Sequence, residues 1–180
     1  PHDLRVLVDC ANGAASVTAQ RLLNRYDMDV NYINDRPNGT NINAGCGSTH
    51  LEELGKHVRE GCYDVGIAFD GDADRCLAVD ENGNEIDGDK IMALIARAMH
   101  EAGDLRNDGF VATVMSNIGL HNYAKEHGYR VLCADVGDKN VKELMDKEDM
   151  VLGGEQSGHI IFRDHMPTGD GQLTALHFLS

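Results

Sequence analysis

The sequence predicts an α/β fold with two consecutive α/β/α units, each built on a mixed, largely parallel sheet. Short apolar runs rich in β-branched residues alternate with longer stretches of helical spacing along the chain. Strands that alternate with helices form layers in which the helices cover the faces of a largely parallel sheet. The alternation runs through twice in 180 residues. We therefore expect one domain at residues 1–86 and a second at residues 87–180.

In the first half, each predicted strand is a short apolar run bounded by turn-forming residues. The predicted strands are Leu4–Cys10, Asp29–Asn34 and Tyr63–Phe69, followed by two β segments within Cys76–Ile86. The predicted helices are Ser16–Tyr26 and Ser48–Gly61. Ser48 or Thr49 could cap the second helix, because Glu52 and Glu53 follow at the spacing of a capping box. The Asn-Gly pair within Cys76–Ile86 is typical of a hairpin turn.

The second half repeats this order of elements. The predicted helices are Gly88–Gly103, Ser116–Gly128 and Lys139–Asp149, with the start of another at Gly171–Ser180. The predicted strands are Gly109–Met115 and Tyr129–Val136, followed by Met150–Phe162, which a polar loop interrupts. Each helix shows apolar residues at helical spacing, and each strand is a short apolar run.

Composition excludes several classes of function. The chain carries 16 Lys and Arg against 30 Asp and Glu, a formal net charge of −14, which disfavours binding to nucleic acid or anionic membranes. No apolar run approaches the roughly 18–20 residues of a membrane span. The five cysteines form no CxxC pair, so we expect reduced thiols in a cytoplasmic protein. The chain starts without methionine and stops within a predicted helix, so we expect a piece of a longer protein.

Three carboxylates follow the apolar strand Tyr63–Phe69 at once. Asp70, Asp72 and Asp74 alternate with glycine and alanine, and residues two apart in an extended segment point the same way. We expect them to converge on one hard cation such as Mg²⁺, although a solvated acidic turn would show the same pattern. An EF-hand is disfavoured, because Arg75 stands where that loop needs glycine and a strand precedes it. Arg75 also suggests a site that meets an anion such as phosphate.

A second polar cluster interrupts the last predicted strand. Glu155, Ser157 and His159 lie two apart between glycines, and they offer an acceptor, a hydroxyl and an imidazole to a polyhydroxylated ligand. A polar hairpin tip is the alternative interpretation of the loop. For His159 three roles stay open: contact with the ligand, orientation of the loop, or a buried structural position. Asp138 and Lys139 open a predicted helix, where free N–H groups hold an anion or Asp138 simply caps the helix.

Two motifs resemble those of the α-D-phosphohexomutases. "DGDADR" (Asp70–Arg75) is similar to the metal-binding loop of this family, and "GEQSGH" (Gly154–His159) is similar to its sugar-recognition loop. The resemblance implies one Mg²⁺ held by the three aspartates, with Arg75 steadying a phosphate or the loop. It also implies that Glu155 and Ser157 bind sugar hydroxyls. Lys139 and Asn140 depart from the arginine and tyrosine expected in the phosphoglucosamine branch, which leaves the supporting role of Lys139 open.

Three further stretches resemble the phosphoglucosamine branch of this family. They are "DCANGAAS" (Asp9–Ser16), "PNGTNINAGCGSTH" (Pro37–His50) and "TGDGQLTAL" (Thr168–Leu176). The resemblance covers the second and third of four family domains. It implies that the full-length parent interconverts glucosamine 6-phosphate and glucosamine 1-phosphate through a phosphoserine and a 1,6-bisphosphate, in the cytoplasm, as a supply of peptidoglycan precursors. The phosphoserine would lie outside this chain, which alone would be inactive.

Two alternatives to that activity stay open at the level of sequence. One is a phosphoglucomutase or phosphomannomutase of the same family, since the metal and sugar loops are shared. The other is a non-catalytic module that binds a divalent metal or a sugar phosphate. Neither nucleic acid nor membrane is expected as a partner, and the sequence does not indicate an oligomeric state.

Overall fold

The computed structural model describes residues 3–180. Within them, the chain forms two compact units. The first contains the described residues up to Ile86 together with Gly171–Ser180, and the second contains Asp87–Asp170. The α/β fold expected from the sequence is confirmed, because each unit has one mixed sheet and its own helices.

The secondary structure follows the predicted alternation closely. In chain order the elements are β1 (Arg5–Asp9), α1 (Ala15–Leu23), β2 (Asp29–Ile33), α2 (Leu51–Gly61), β3 (Val65–Phe69), β4 (Cys76–Asp80), β5 (Glu85–Ile86), α3 (Gly88–Ala102), a 3₁₀ turn (Arg106–Asp108), β6 (Gly109–Thr113), α4 (Ile118–His127), β7 (Arg130–Ala134), α5 (Asp138–Lys147), β8 (Leu152–Gly154), β9 (Ile160–Phe162) and α6 (Gly171–Leu179).

The sheet of the first unit has five strands in the order β2-β1-β3-β4-β5. The three strands β2, β1 and β3 are parallel. Strand β4 pairs antiparallel with β3, and β5 pairs antiparallel with β4. The buried core of this unit is mostly aliphatic, as a chain without tryptophan favours, but it also contains the fully buried Phe69 side chain. One cluster of that core consists of Leu7, Leu54, Val58, Ala68 and Val79.

The sheet of the second unit has four strands in the order β7-β6-β8-β9. The strands β7, β6 and β8 are parallel, and β9 returns antiparallel to β8. Helix α5 packs on this sheet through Val141 and Met145, which lie in one buried cluster with Val111 and Ile161. In both units the carboxyl ends of the parallel strands carry the loops that the sequence singled out.

The last helix packs in the first compact unit, although the domain expected from the sequence includes it; that domain division stays a prediction. The sequence division assigned residues 87–180 to the second domain, but α6 is part of the first unit. Its buried face includes Thr174, Ala175 and Leu179. The Gly171 amide donates to the Ala73 carbonyl at 3.0 Å. The helix therefore completes the core of the first unit.

Two local details also differ from the sequence prediction. Helix α2 begins at Leu51 after His50, whose side chain makes no capping hydrogen bond, so neither Ser48 nor Thr49 is the cap. Helix α1 ends at Leu23, three residues before the predicted Tyr26. Among residues 3–180, no helix combines the length and the apolar character that crossing a membrane requires.

Candidate functional site

The first candidate site is the connection between β3 and β4, Asp70–Arg75, which we name the aspartate loop. Strand β3 is buried along its whole length, and Phe69 at its end is the register partner of Cys76 at the start of β4. The loop therefore turns the chain by 180° in six residues. Ala73 takes a left-handed conformation with a φ of 62°, which is strained for a residue other than glycine.

The turn brings the three aspartates together. One carboxylate oxygen from each of Asp70, Asp72 and Asp74 lies within 4.8 Å of the other two. The sequence predicts this convergence from an extended segment, but the loop contains a left-handed turn at Ala73. Asp72 is exposed, and Asp70 and Asp74 are half-buried. A set of carboxylate oxygens at this spacing fits a hard divalent cation after small side-chain rotations.

The electrostatics of the aspartate loop favour a cation. Burial, together with the negative charges of Asp74 and Asp72, raises the pKa of Asp70 to about 6. The Arg75 amide donates to Asp70 Oδ1 at 3.1 Å and opposes this shift. The Arg75 guanidinium Nε lies 3.9 Å from Asp70 and 4.0 Å from Asp74. A side chain that is 44% exposed can also reach an anion in solvent.

The second candidate site is the turn between β8 and β9, Glu155–His159, which we name the hairpin loop. The two strands pair antiparallel, with Gly154 opposite Ile160. The Glu155 amide donates to the His159 carbonyl at 3.0 Å, and the Gly158 amide donates to the Glu155 carbonyl at 3.0 Å. Ser157 is exposed at the tip of this turn. The loop is therefore a polar hairpin tip with an exposed hydroxyl, and its role in binding a ligand stays a prediction.

Glu155 joins the hairpin loop to the start of α5. Its Oε1 accepts the Gly137 amide at 2.9 Å, and Gly137 takes a φ of 121° that favours glycine. Lys139, in the first turn of α5, is 85% exposed and lies 3.7 Å from Glu143. Glu155 therefore connects the hairpin loop to the turn that precedes α5. The Lys139 ammonium remains exposed to solvent.

His159 lies beneath the hairpin loop and not at its surface. The residue is 2% exposed. Its Nε2 accepts the Gly169 amide at 3.2 Å and lies 3.4 Å from Asp138 Oδ2. A Cβ on Gly169 would stand 2.5 Å from the imidazole, so the backbone at Gly169 lies in close contact with the ring. Of the roles considered for His159, this geometry favours orienting the loop.

Two residues at the start of α3, Asp87 and Gly88, hold the hairpin loop in place and were not predicted from the sequence. The Gly88 amide, at the start of α3, donates to the Gln156 carbonyl at 2.9 Å. Asp87 caps α3 by accepting the Lys90 amide at 3.0 Å, and its other oxygen accepts the Gln156 side-chain amide at 3.1 Å. An aspartate ahead of a helical run predicts a cap. No sequence signal points to its second partner 69 residues away.

Comparisons with sequence families match nearly the whole chain in two parts. Residues 1–83 match the family described as phosphoglucomutase/phosphomannomutase, alpha/beta/alpha domain II. Residues 87–180 match the description phosphoglucomutase/phosphomannomutase, alpha/beta/alpha domain III. The second match includes α6, although that helix packs in the first unit.

Individual relatives and solved structures agree with these matches. The chain is 53% identical over 176 residues to a phosphoglucosamine mutase of Ruminiclostridium cellulolyticum, and 54% identical over 177 residues to one of Acetivibrio thermocellus. Each match covers 98% of this chain but only 39% of the relative. A phosphoglucomutase/phosphomannomutase family protein of Burkholderia thailandensis superposes with a TM-score of 0.83 at 26% identity, over 97% of this chain and 38% of that one.

Proposed function

Because the chain belongs to the phosphoglucomutase/phosphomannomutase family, we propose that its full-length parent is a phosphoglucosamine mutase. The observation that carries the proposal is the identity of 53–54% to phosphoglucosamine mutases along 98% of the chain, which includes both candidate loops. The chain spans about 39% of the length of those relatives. The activity proposed is therefore that of the parent, and this chain supplies two parts of its active site.

The proposed reaction exchanges glucosamine 6-phosphate and glucosamine 1-phosphate. A phosphoserine outside this chain gives its phosphoryl group to the free hydroxyl of the sugar phosphate, and the product is a 1,6-bisphosphate. The bisphosphate then turns in the site, and its other phosphoryl group returns to the serine oxygen. Enzymes accelerate such transfers mainly by positioning the reacting groups and stabilising their charge.

In this proposal the aspartate loop holds one Mg²⁺ through Asp70, Asp72 and Asp74. The support is the all-carboxylate donor set, with oxygens within 4.8 Å of one another, which suits a hard cation. When bound, Mg²⁺ neutralises charge on the phosphate during transfer. Arg75 keeps two of the carboxylates oriented, at 3.9 and 4.0 Å, and steadies a phosphate oxygen.

The hairpin loop is proposed to bind the sugar. Ser157, exposed at the tip, donates or accepts a hydrogen bond with a sugar hydroxyl. Glu155 accepts from a hydroxyl while its Oε1 holds the Gly137 amide. His159 is included in the sugar site through its position beneath the loop, where it keeps Glu155 and Ser157 in place. Lys139 contributes positive charge near the site and carries no specific contact in this proposal.

The wider context follows from the same assignment. We propose that residues 1–86 and 87–180 correspond to the second and third of four domains in the parent. The parent would be a cytoplasmic phosphoprotein that supplies an amino sugar phosphate for peptidoglycan. Its partners would be the hexosamine phosphate and the bisphosphate. The net charge of −14 disfavours nucleic acid and anionic membranes as further partners.

A coupled assay of the full-length parent tests the substrate. We expect kcat/KM for glucosamine 6-phosphate to exceed the values for glucose 6-phosphate and mannose 6-phosphate by about 100-fold, or about 2.7 kcal/mol in transition-state binding. Equal values would make the parent a broad-specificity hexomutase. No turnover of any of the three sugars would overturn the enzyme assignment in favour of a binding module.

The metal assignment has a separate test on this chain. Asp72→Asn removes one carboxylate from an exposed position, so the fold should be unaffected. We expect the affinity for Mg²⁺, measured by isothermal titration, to fall about tenfold or more. Asp104→Asn, which changes an exposed aspartate in the second unit, is the matched control. Equal affinities of the two variants would remove the metal site from the proposal.

A further inference from the structure

A buried aspartate outside both loops lies at the end of β1. Asp9 is 1% exposed, and each of its carboxylate oxygens accepts a backbone amide. Oδ1 accepts the Ala11 amide at 2.9 Å, and Oδ2 accepts the Gly47 amide at 2.8 Å. Those amides belong to two segments far apart in sequence. A buried carboxylate is stabilised by such hydrogen bonds, and through them Asp9 joins the two segments at one point.

The first segment, residues 10–14, lies directly against the aspartate loop. The Ala14 amide donates to the Gly71 carbonyl at 2.9 Å. A Cβ on Gly13 would stand 2.2 Å from the same carbonyl oxygen, so the two backbones are in contact. We name this segment the first support. It fixes where the aspartate loop begins its turn.

The second segment, residues 42–48, touches the aspartate loop on another side and is named the second support. The Ser48 amide donates to the Phe69 carbonyl at 2.9 Å, immediately before Asp70. Gly47 has a φ of +77°, and a Cβ there would stand 2.6 Å from that carbonyl oxygen. A Cβ on Gly71 would meet Ile42 at 2.7 Å. The backbone on both sides of Asp70, at Phe69 and at Gly71, is therefore held by a support.

The two supports also contact each other. The Asn43 amide donates to the Ala11 carbonyl at 2.9 Å. Ala11 thus accepts from the second support through its carbonyl and donates to Asp9 through its amide. Ala11 itself has a φ of 52°, a strained conformation that its surroundings must maintain. The Asp9 carboxylate supplies that restraint.

We propose that Asp9 is a positioning residue for the metal site: it clamps the first and second supports and thereby sets the separation of the three aspartates. Asp9 acts on the aspartate loop through the two supports, which contact the Gly71 and Phe69 carbonyls. The inference rests on the proposed Mg²⁺ site. In this proposal Asp9 affects the affinity for Mg²⁺ indirectly, through the two supports that contact the aspartate loop.

The test compares Asp9→Asn with Asp64→Asn in the 180-residue chain. Asp9→Asn keeps the size of the side chain but removes one of two carboxylate acceptors, so one support loses its bond. Asp64 is the matched control, because its Oδ2 accepts the Arg5 amide at 2.8 Å in the same unit, at the other end of β1. Circular dichroism and the thermal midpoint establish that each variant is folded.

Two readouts decide the role of Asp9. The first is the dissociation constant for Mg²⁺, which we expect to rise about tenfold in Asp9→Asn and to change less than about twofold in Asp64→Asn. The second is amide hydrogen exchange in the metal-free chain. Exchange across Gly71–Arg75 should accelerate in Asp9→Asn only. This readout does not depend on metal.

Gly47→Ala separates geometry from charge and serves if Asp9→Asn does not fold. It keeps the Asp9 charge but pushes the second support away from the Phe69 carbonyl, so both readouts should change in the same direction. A folded Asp9→Asn with the Mg²⁺ affinity and loop exchange of Asp64→Asn overturns the inference. Faster exchange across Gly71–Arg75 in Asp9→Asn, in a chain that does not bind Mg²⁺, would support the role of Asp9 in holding the two supports. The same result would overturn the proposed metal site.

Discussion

At the scale of single residues, Asp70 should make the proposed binding of Mg²⁺ depend on pH. Burial and the neighbouring carboxylates raise its pKa to about 6, so below that pH a proton occupies the group that must release it to bind Mg²⁺. We expect the affinity for Mg²⁺ to fall about tenfold between pH 7 and pH 5. Isothermal titration in buffers of different ionisation enthalpy would also detect the proton released on binding.

The control for this prediction is Asp70→Asn. That variant should bind Mg²⁺ weakly at pH 7 and lose most of the dependence on pH, because the titrating group is gone. An affinity in the unaltered chain that stays constant between pH 5 and pH 7 would show that the proton on Asp70 does not compete with the metal.

Gly88 is a second residue with a large expected effect. A Cβ at this position would stand 2.2 Å from the Glu155 carbonyl oxygen, which is backbone and cannot rotate away. We expect Gly88→Ala to lower the free energy of unfolding of the second unit by about 1–3 kcal/mol, because α3 and the hairpin loop must separate. Urea denaturation followed by hydrogen exchange would measure it.

Gly119→Ala is the matched control for Gly88. Its Cβ would have only the Asn117 side chain nearby, with Oδ1 at 3.2 Å, and it lies within α4, where alanine is a better helix former than glycine. We expect a change within about 0.5 kcal/mol. Equal effects of the two substitutions would mean that contact with the hairpin loop is not what restricts residue 88.

At the scale of elements, the sequence was most informative where one segment determines its own structure. The apolar run of β3 followed by alternating aspartates predicted a strand and an acidic loop, and the Asn-Gly pair predicted the turn between β4 and β5. Those features depend on neighbours in sequence. The Asp9 clamp and the contact of Gly88 with Gln156 depend on residues 38 and 68 positions away, and no periodicity records such a pairing.

Helix α6 shows the same limit for a whole element. Its apolar spacing predicted a helix but not the surface that the helix covers. Deleting residues 171–180 should therefore expose the first unit and not the second. We expect the free energy of unfolding of the first unit to fall by about 2–4 kcal/mol, because the deletion removes the buried side chains of Thr174, Ala175 and Leu179.

Hydrogen exchange resolved by peptide would measure the effect of that deletion. Protection in β3 and β4 should decrease, while protection in β6 and β8 serves as the internal control. Loss of protection in the second unit but not in the first would support the domain division predicted from the sequence, in which α6 belongs to residues 87–180.

At the scale of the whole molecule, charge and site chemistry have to be reconciled. A chain of net charge −14 repels anions on average, yet the proposed substrate is a sugar phosphate. Binding must then rely on local donors, such as the exposed Arg75 guanidinium, and on a divalent cation at the aspartate loop. The same surface disfavours polyanions, whose many charges cannot all meet a local donor.

The serines of the chain bear on whether it can turn over substrate alone. Ser16 and Ser48 are buried, and the Ser16 hydroxyl has no hydrogen-bond partner within residues 3–180. The Ser116 hydroxyl lies 3.4 Å from the Thr113 amide at the end of β6. Ser157 is exposed at the hairpin tip. Ser180, the fifth serine, is exposed after α6. In the proposed function none of these five is the phosphorylated serine, which belongs to the remainder of the parent.

Metal binding and turnover should therefore separate in this chain. With Mg²⁺ and glucosamine 6-phosphate, we expect Mg²⁺ binding by titration but no glucosamine 1-phosphate by ³¹P NMR, since positioning without the phosphoserine leaves no donor for the first phosphoryl transfer. The full-length parent under identical conditions is the positive control. Turnover by the chain that disappears in Ser157→Ala would place a nucleophile on the hairpin loop and contradict the division of roles proposed for the two loops.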